Sequence, residues 1–582
     1  MKHKIKFSLL IILIFGAILR FSYGNWDSYQ SFHPDERNIA WAVTRISFFD
    51  QLNPKFFAYG GLPIYMYKAL SNGVAFVTHD QSWTTEWGKI SVIGRFVSAF
   101  LSTLSIILLY KVGKKYFSEN IGLLGAILLT FAPWAIREAH FATTETMLVF
   151  FLLTIYLLTF RYIHSATGKN AALIGIVSGL AVGAKTISVL FLVIPLTAIM
   201  LKALSKQRSK QFTLPFGLAQ GGHFALCTLH LILLIIFTAL VAFTVSPYTV
   251  LDFSGFKESM IYESGVALGK FIVPYTMQFS GTKPYLYQIY TTLWQMGPVA
   301  ILGLLGFILY TLRLLFIATY QMIGRRVTIL KSTETLRIQW VFLSFPLLYF
   351  LYTGSWFAKF ARYNVPLLPL LTLFSAWFIY YSINLLCDNR TKTLRIICLF
   401  VYLSICLFSL SWGIANWTIY TRPQTRIEAS RWIYKNVPES ALIYTEHWND
   451  GLPIALPDEP LISFKRELLE VYLPDNDTKR TMYTTKLPKG DFIILSTRRI
   501  WDTMPNLEKK YPLTKRFYEL LLSEKLGYTE VATFTSYPAL FGFTLSDRPA
   551  EESIEVFDHP EVKIFQNTGK FSEEKITSLL NN

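Results

Sequence analysis

The sequence predicts a polytopic α-helical membrane protein with a small α/β domain at its C-terminal end. Three observations predict it. Apolar runs longer than a soluble core needs recur between Phe7 and Trp417, in a chain that is 52% hydrophobic and 16% charged, with a mean hydropathy of +0.37. Lys and Arg stand in short clusters between those runs, as cytoplasmic loops do. After Thr421 the composition turns charged and rich in turn residues. The net charge of +17 is spread over loops rather than gathered on one face, which excludes nucleic-acid binding. Of the four cysteines, Cys227, Cys398 and Cys406 fall in apolar runs and Cys387 in a basic loop, so no disulfide framework is implied. The sequence shows neither internal repeats nor low-complexity tracts.

Taken in order, Lys2, Lys4 and Lys6 precede an apolar run from Phe7 to Leu19 that fits either a signal peptide or a first span. No small-x-small cleavage site follows, and Arg20, Phe21 and Tyr23 read as an interfacial end, so a retained span with its N-terminus inside is expected. The first external loop, 24–89, then carries Ser31-Phe32-His33-Pro34-Asp35-Glu36-Arg37. Two carboxylates follow a proline that stiffens the turn, and two readings are open. One is a helix N-terminus from Pro34 to about Arg45; the other is a chemical site at the membrane boundary. Leu62 to Val77 is short for a span and carries Lys68, so it is read as a helix on the outer membrane surface.

Ile90 to Tyr110 returns to the cytoplasm at Lys111, Lys114 and Lys115. Ile121 to Phe160 would be roughly 60 Å as one helix against a core of about 30 Å, so it makes two spans broken at Pro133 to His140. Ala171 to Leu201 is flanked on both sides by basic residues (Arg161 and Lys169; Lys202, Lys206, Arg208 and Lys210), which makes it a hairpin with its tip at Gly183-Ala184-Lys185. His223 to Val245 goes out, and an external loop runs from Ser246 to about Tyr285. Pro298 to Leu315 returns to the basic residues Arg313, Arg325, Arg326, Lys331 and Arg337. Trp340 to Tyr352 goes out to Lys359-Phe360-Ala361-Arg362-Tyr363, Leu367 to Leu386 comes back to Arg390, Lys392 and Arg395, and Leu394 to Trp417 exits. This gives about 11 transmembrane helices, N-terminus in and C-terminus out, by the positive-inside bias.

Two domains follow: a membrane domain over 1–420 and an extracytoplasmic α/β domain over 421–582. In the latter, Ile427 to Asn436 reads as a helix, and Ala441 to Thr445, Asp491 to Ser496, Val531 to Thr535 and Val562 to Phe565 read as strands.

By parity Asp35, Glu36, Arg137, His140, Glu145, Lys185 and Arg362 share the outer face, although they come from five parts of the chain. Each has an ordinary explanation as well, since Lys and Arg at span ends snorkel and a lone His is commonly a satisfied polar residue. Glu145 sits just inside a span, where an acid is costly without a partner or cavity. Together, carboxylates and cations at one surface suit an anionic lipid with a group to transfer. Moving a sugar from a lipid phosphate needs a base for the acceptor hydroxyl, cations for the leaving phosphate and dry positioning. No phosphate-cradling glycine loop is present, which fits a lipid-linked donor rather than a nucleotide sugar.

These residues resemble the GT-C superfamily of polytopic glycosyltransferases, in particular the protein O-mannosyltransferases and the lipid A aminoarabinose transferases. The matching pieces are His33-Pro34-Asp35-Glu36, Arg137 through His140 to Glu145, Gly179 through Lys185, and Arg362-Tyr363-Asn364-Val365-Pro366-Leu367-Leu368-Pro369, with weaker similarity over Ala429 to Pro453. The resemblance implies inverting transfer of a mannose-like hexose or an aminopentose from a polyprenyl-phosphate (dolichyl-phosphate-like) donor to a hydroxyl on a protein, lipid or glycan, at the outer face of the cell membrane. It assigns Asp35 as catalytic base. Glu36, Arg137, His140, Glu145, Lys185, Arg362 and Tyr363 fall to substrate binding, with Glu36 supporting the loop or the acceptor and Lys185 and Arg362 on the lipid phosphate. The family usually has Asp at the position of Glu145, which alters its reach. No cofactor is implied as required, although some relatives hold a divalent ion, which leaves a metal near Asp35 and Glu145 open. Glu446-His447-Trp448-Asn449-Asp450 is better read as a strand-end loop than as a ligand set, because its spacing matches no regular site. The rival readings are transfer of an oligosaccharide or another group from the same carrier, and a lipid-linked sugar transporter or flippase, which would show matched halves.

Overall fold

The computed structural model describes residues 2–204, 223–323, 334–389, 392–446, 450–460 and 462–581. Lys206, Arg208, Lys210, Arg325, Arg326, Lys331 and Arg390, used above to assign loops, lie outside the described residues, as do His447, Trp448 and Asn449. The chain divides into two compact units. The first holds Met1–Gly24, Asp35–Gly265 and Pro284–Trp417, and the second Asn25–Pro34, Val266–Lys283 and Thr418–Asn582.

In the first unit the apolar runs are helices: α1 (Lys2–Phe21), α2 (Pro34–Thr44), α3 (Gly61–Thr78), α4 (Trp87–Tyr116), α5 (Glu119–Thr130), α6 (Pro133–Ala139), α7 (Glu145–His164), α8 (Gly168–Ala184), α9 (Val193–Ala203) and α10 (His223–Val245). The short α11 (Tyr248–Leu251) and α12 (Phe253–Ala267) follow, then α13 (Leu286–Met296), α14 (Val299–Ile323), α15 (Glu334–Thr353), α16 (Leu368–Asn389) and α17 (Lys392–Trp417). Among the described residues, seven helices are long and apolar enough to cross a membrane, or eight if the bent pair α5–α6 is one span. The chain is thus an integral membrane protein. The bend of 58° between α5 and α6 falls where Pro133 interrupts the run.

A helix broken inside a membrane leaves carbonyls without water to satisfy them. Arg20 supplies the donors. It is buried rather than interfacial, and its guanidinium donates to Leu129 O at 2.9 Å and Thr130 O at 3.0 Å in the last turn of α5, and to Ser102 Oγ at 2.8 Å. The glycines of α8 are a packing stripe. A Cβ at Gly179 would stand 2.7 Å from Thr238 O and one at Gly183 2.2 Å from Val245 Cγ2, so small residues let α8 lie directly on α10. Lys185 ends α8 in an extended conformation, and the chain continues as a 3₁₀ turn, Thr186–Leu192, into α9.

The second unit contains α18 (Thr425–Asn436), β1 (Leu442–Glu446), β2 (Lys465–Leu469), α19 (Asp477–Lys486), β3 (Phe492–Leu495), α20 (Pro512–Leu522), β4 (Tyr528–Phe534), β5 (Ala539–Leu540), β6 (Phe543–Thr544), β7 (Val562–Asn567) and α21 (Glu573–Asn581). Five strands form a mixed sheet in the order β2-β1-β3-β7-β4, with β1 parallel to both β2 and β3, and β7 antiparallel to β3 and β4. β2, Lys-Arg-Glu-Leu-Leu, is an edge strand of the sheet, where charge is tolerated. The unit is not one contiguous tail. His33 packs on Phe557 with ring centroids 4.1 Å apart, the Arg426 guanidinium lies 4.9 Å from the Phe32 ring, and Met277 joins the core of Tyr483, Leu495, Phe517 and Phe565. A cut at residue 420 therefore separates segments that fold together. Within this unit His559 is buried between Asp547 (2.9 Å) and Asp558 (2.6 Å), and Tyr420 donates to Asp558 at 2.8 Å. Burial works against charge on His559, but the two carboxylates outweigh it and hold its pKa up to about 10.

Candidate active site

Pro34 opens α2, so Asp35 and Glu36 occupy its first turn. Consecutive helical residues point about 100° apart, so the two carboxylates face different surroundings. Glu36 turns into the core. Arg95 of α4 grips it with Nε at 2.9 Å from Oε1 and Nη2 at 2.7 Å from Oε2, and the Ala142 N–H donates to Oε1 at 2.5 Å. The Glu36 side chain is fully buried, and the same Arg95 donates to Gly24 O at 3.1 Å. These bonds hold α2 to α4 and to the segment before α7. Asp35 turns the other way. Its carboxylate accepts from Arg362 Nη1, and the side chain keeps 18% of its surface exposed.

Arg362 sits on a 3₁₀ turn, Ala361–Asn364, that hydrogen bonds fix from two sides. Gln295 donates to Ala361 O at 2.9 Å, Asn364 donates to Gln288 O at 3.1 Å, and Tyr349 donates to Tyr363 O at 3.0 Å. The guanidinium lies 5.2 Å from the Phe360 ring and 5.7 Å from the Tyr363 ring, and Nη1 is 3.5 Å from the Tyr59 hydroxyl. Its Nε is buried without a hydrogen-bond partner among the described residues. Tyr363 is half-buried and packs against Trp356 with ring centroids 5.4 Å apart.

A second carboxylate and cation face each other nearby. Glu145, buried at the first position of α7, accepts from Lys185 Nζ at 2.8 Å through Oε1, while its Oε2 has no hydrogen-bond partner among the described residues. Lys185 Nζ also lies 5.1 Å from the centre of the Tyr59 ring. Tyr59 is thus the link between the two pairs, its ring against Lys185 and its hydroxyl beside Arg362. Sequence reasoning missed it, although the two glycines after it were a signal. Gly60 donates to Ala184 O at 3.0 Å, and a Cβ there would stand 2.0 Å from Gly183 O, so only glycine lets this loop lie on the end of α8. Gly61 N–H then donates to Ser246 Oγ at 2.9 Å.

Two predicted site residues have other surroundings. His140 is buried with Nδ1 2.8 Å from Ile136 O and Nε2 2.9 Å from Ser22 O, so both ring nitrogens meet backbone carbonyls and tie α6 to the end of α1. Arg137 is buried on α6 with Nη1 3.6 Å from Glu138 and its guanidinium 5.1 Å from the Phe141 ring. Asp35 and Glu145 each face a side-chain cation, and among the described residues no three His, Cys, Asp or Glu groups converge.

What the site presents is two carboxylate–cation pairs, Asp35 with Arg362 and Glu145 with Lys185, joined through one tyrosine. The two cations are counterbalanced by carboxylates at rest and have the chemistry to hold a phosphate. Residues 87–241 match the profile of a family described as dolichyl-phosphate-mannose-protein mannosyltransferase. The chain is similar to the archaeal oligosaccharyltransferase AglB from Archaeoglobus fulgidus in complex with an inhibitory peptide and a dolichol-phosphate, with a TM-score of 0.51 and 11% identity over 94% of this chain and 74% of that one. The Archaeoglobus fulgidus oligosaccharyltransferase tethered with an acceptor peptide gives a TM-score of 0.50 and 13% identity, over 94% and 75% of the two chains. ArnT from Cupriavidus metallidurans bound to undecaprenyl phosphate gives 0.44 and 12%, over 95% and 97%. No curated protein sequence matches the chain. The chain resembles the GT-C superfamily, and its fold is that of a polytopic GT-C membrane protein.

Proposed function

We propose that this chain is an inverting glycosyltransferase that moves a sugar, a mannose-like hexose or an aminopentose, from a polyprenyl-phosphate donor to an acceptor hydroxyl. The observation that carries the reading is the pairing of two carboxylates with two cations around Tyr59. Asp35 accepts the hydroxyl proton as the new bond to the anomeric carbon forms. The bond from that carbon to the phosphate oxygen breaks on the opposite face, and polyprenyl phosphate leaves with the charge it gains. An alcohol is far less acidic than a carboxylic acid, but the proton moves only as charge develops, so a carboxylate suffices. Lys185 and Arg362 hold the departing phosphate. A phosphate that draws Arg362 toward itself loosens the grip on Asp35, so donor binding prepares the base. Glu145 Oε2, buried and available, is suited to a donor hydroxyl. About eleven spans, an outer-face site and a plasma-membrane location complete the reading, from the basic-loop parity of the sequence. A dolichol-phosphate in the AglB relative supports a polyprenyl carrier. Incubating the purified protein with a panel of polyprenyl-phosphate sugars and hydroxyl acceptors should yield one glycosylated product and free polyprenyl phosphate. No product with any member rejects the reading.

The oligosaccharyltransferase likeness favours one alternative, transfer of an oligosaccharide from the same kind of carrier. Oligosaccharide-linked donors in the panel distinguish it, and a transporter would move donor without covalent product. The cation assignment has its own test. Charge-assisted bonds to phosphate are worth roughly 1.5 to 3 kcal/mol each, so Lys185→Ala or Arg362→Ala is expected to weaken donor binding by about ten- to 150-fold. Unchanged donor affinity in both variants, measured in one detergent, rules the assignment out.

A further inference from the structure

The two most exposed large apolar side chains of the second unit, among the described residues, stand at one place. β5 and β6 form an antiparallel hairpin whose turn, Phe541–Gly542, has φ of 51° and 82°, the positive values that tight hairpin turns use. Gly542 adopts that conformation freely; Phe541 does so in a region that residues with a side chain rarely visit. The result puts Phe541 90% and Phe543 82% in the open, with Leu545 45% exposed beside them. The core of the unit is built from other residues, such as Ile493, Phe517 and Phe565. A cluster of large apolar groups held outward by a defined turn marks a surface meant to be covered.

Three observations identify the cover. From Val531 to Ser546 the sequence has no charged residue, although Glu530 and Asp547 flank the run. The base of the hairpin is fixed to the residue that follows the last apolar helix: Thr418 Oγ1 donates to Ala539 O at 2.9 Å, and Arg422 donates to Tyr537 O at 2.6 Å. Thr418 is one peptide bond beyond Trp417, the end of α17, and the apolar window of that helical run is only 6% buried within the protein. The hairpin therefore begins where the chain leaves a lipid-facing helix. Two residues of strand reach about 7 Å, close to the thickness of the interfacial layer of a bilayer, and that layer is where aromatic side chains concentrate.

We infer that the hairpin Tyr537 to Leu545 is a membrane-interface anchor, which lays Phe541 and Phe543 into the lipid at the face where α17 ends. The inference rests on the reading of α17 as a span but not on the transfer reaction. The anchor gives the second unit a hold on the bilayer besides its covalent link.

The test uses the full-length protein without its native cysteines, in bilayers of equal parts phosphatidylcholine and phosphatidylglycerol. An environment-sensitive fluorophore is placed at Phe541→Cys, at Phe543→Cys and, as an aqueous reference, at Lys509→Cys, which is an exposed position. Lipids with a nitroxide near the top of the acyl chain should quench both hairpin labels by roughly twofold or more and leave the reference unchanged, whereas aqueous iodide should do the reverse. Iodide quenching of the hairpin labels without lipid quenching overturns the anchor. Protection from both quenchers overturns it too, since that outcome means a protein surface covers the hairpin. The two label sites are nearly fully exposed, so neither substitution removes a packed side chain.

Discussion

Asp35→Asn is expected to leave the protein folded and able to bind donor while lowering turnover by about 10² to 10⁴, the usual cost of losing a positioned base. Asparagine has the size of aspartate, suits a helix N-terminus and can still accept a hydrogen bond from Arg362, but it cannot take a proton at neutral pH. The Asp35–Arg362 pair is partly exposed, with 18% and 29% of the two side chains accessible, so its loss removes little stability. With the charge of Asp35 removed, Arg362 should bind the donor phosphate at least as well as before, which separates the turnover effect from a binding defect. Glu36 does not rescue the variant, because both of its oxygens are engaged by Arg95 and Ala142. Turnover and donor affinity of purified Asp35→Asn, measured together, decide the matter. Turnover within a few-fold of the parent moves the role of base to Glu145, the remaining site carboxylate with an available oxygen.

What could be read from sequence here follows the range of the forces involved. Apolar runs and Pro133 locate helices and a break because hydropathy and proline act locally, and the extended end of α8 at Lys185 falls where basic flanks predict a hairpin tip. The orientation of Asp35 and Glu36 was not legible. Two adjacent carboxylates look alike in a sequence, and only the helical rotation of about 100° sends one to the core and the other to the site. Arg95 carried a signal that went unused: an arginine in the interior of an apolar run needs a buried partner. The surroundings of His140 were not legible for the converse reason, since its ring nitrogens meet backbone carbonyls, which have no sequence signature. Asn25–Pro34 and Val266–Lys283 join the second unit through packing between residues hundreds of positions apart, which no local pattern reports.

The Glu36–Arg95 pair leads to the second large effect. Arg95→Met keeps most of the stem of the side chain but leaves a carboxylate in a site where Glu36 and Arg95 are both almost completely inaccessible to water. Removing one partner of such a pair strands the other charge and costs about 3 to 5 kcal/mol, more than an exposed ion pair contributes. A marked fall in the thermal unfolding temperature of Arg95→Met in detergent is therefore expected. Arg95→Lys should recover only part of it, because an ammonium cannot make the two parallel bonds to Oε1 and Oε2 that the guanidinium fork makes. Neutralising the stranded group should recover more, so Glu36→Gln in the Arg95→Met background is expected to be more stable than Arg95→Met alone, a coupling that a double-mutant cycle measures. The pair also reaches the chemistry by position. Asp35 is the next residue on the helix that Glu36 fastens, and a misplacement of about 1 Å at a reacting group can cost 10²-fold in rate, so the variants that keep their fold should lose turnover while retaining donor affinity. If Arg95→Met unfolds at the parent's temperature and the double variant gains nothing over it, the pair does not fasten α2, and the placement of Asp35 must come from Arg362 alone.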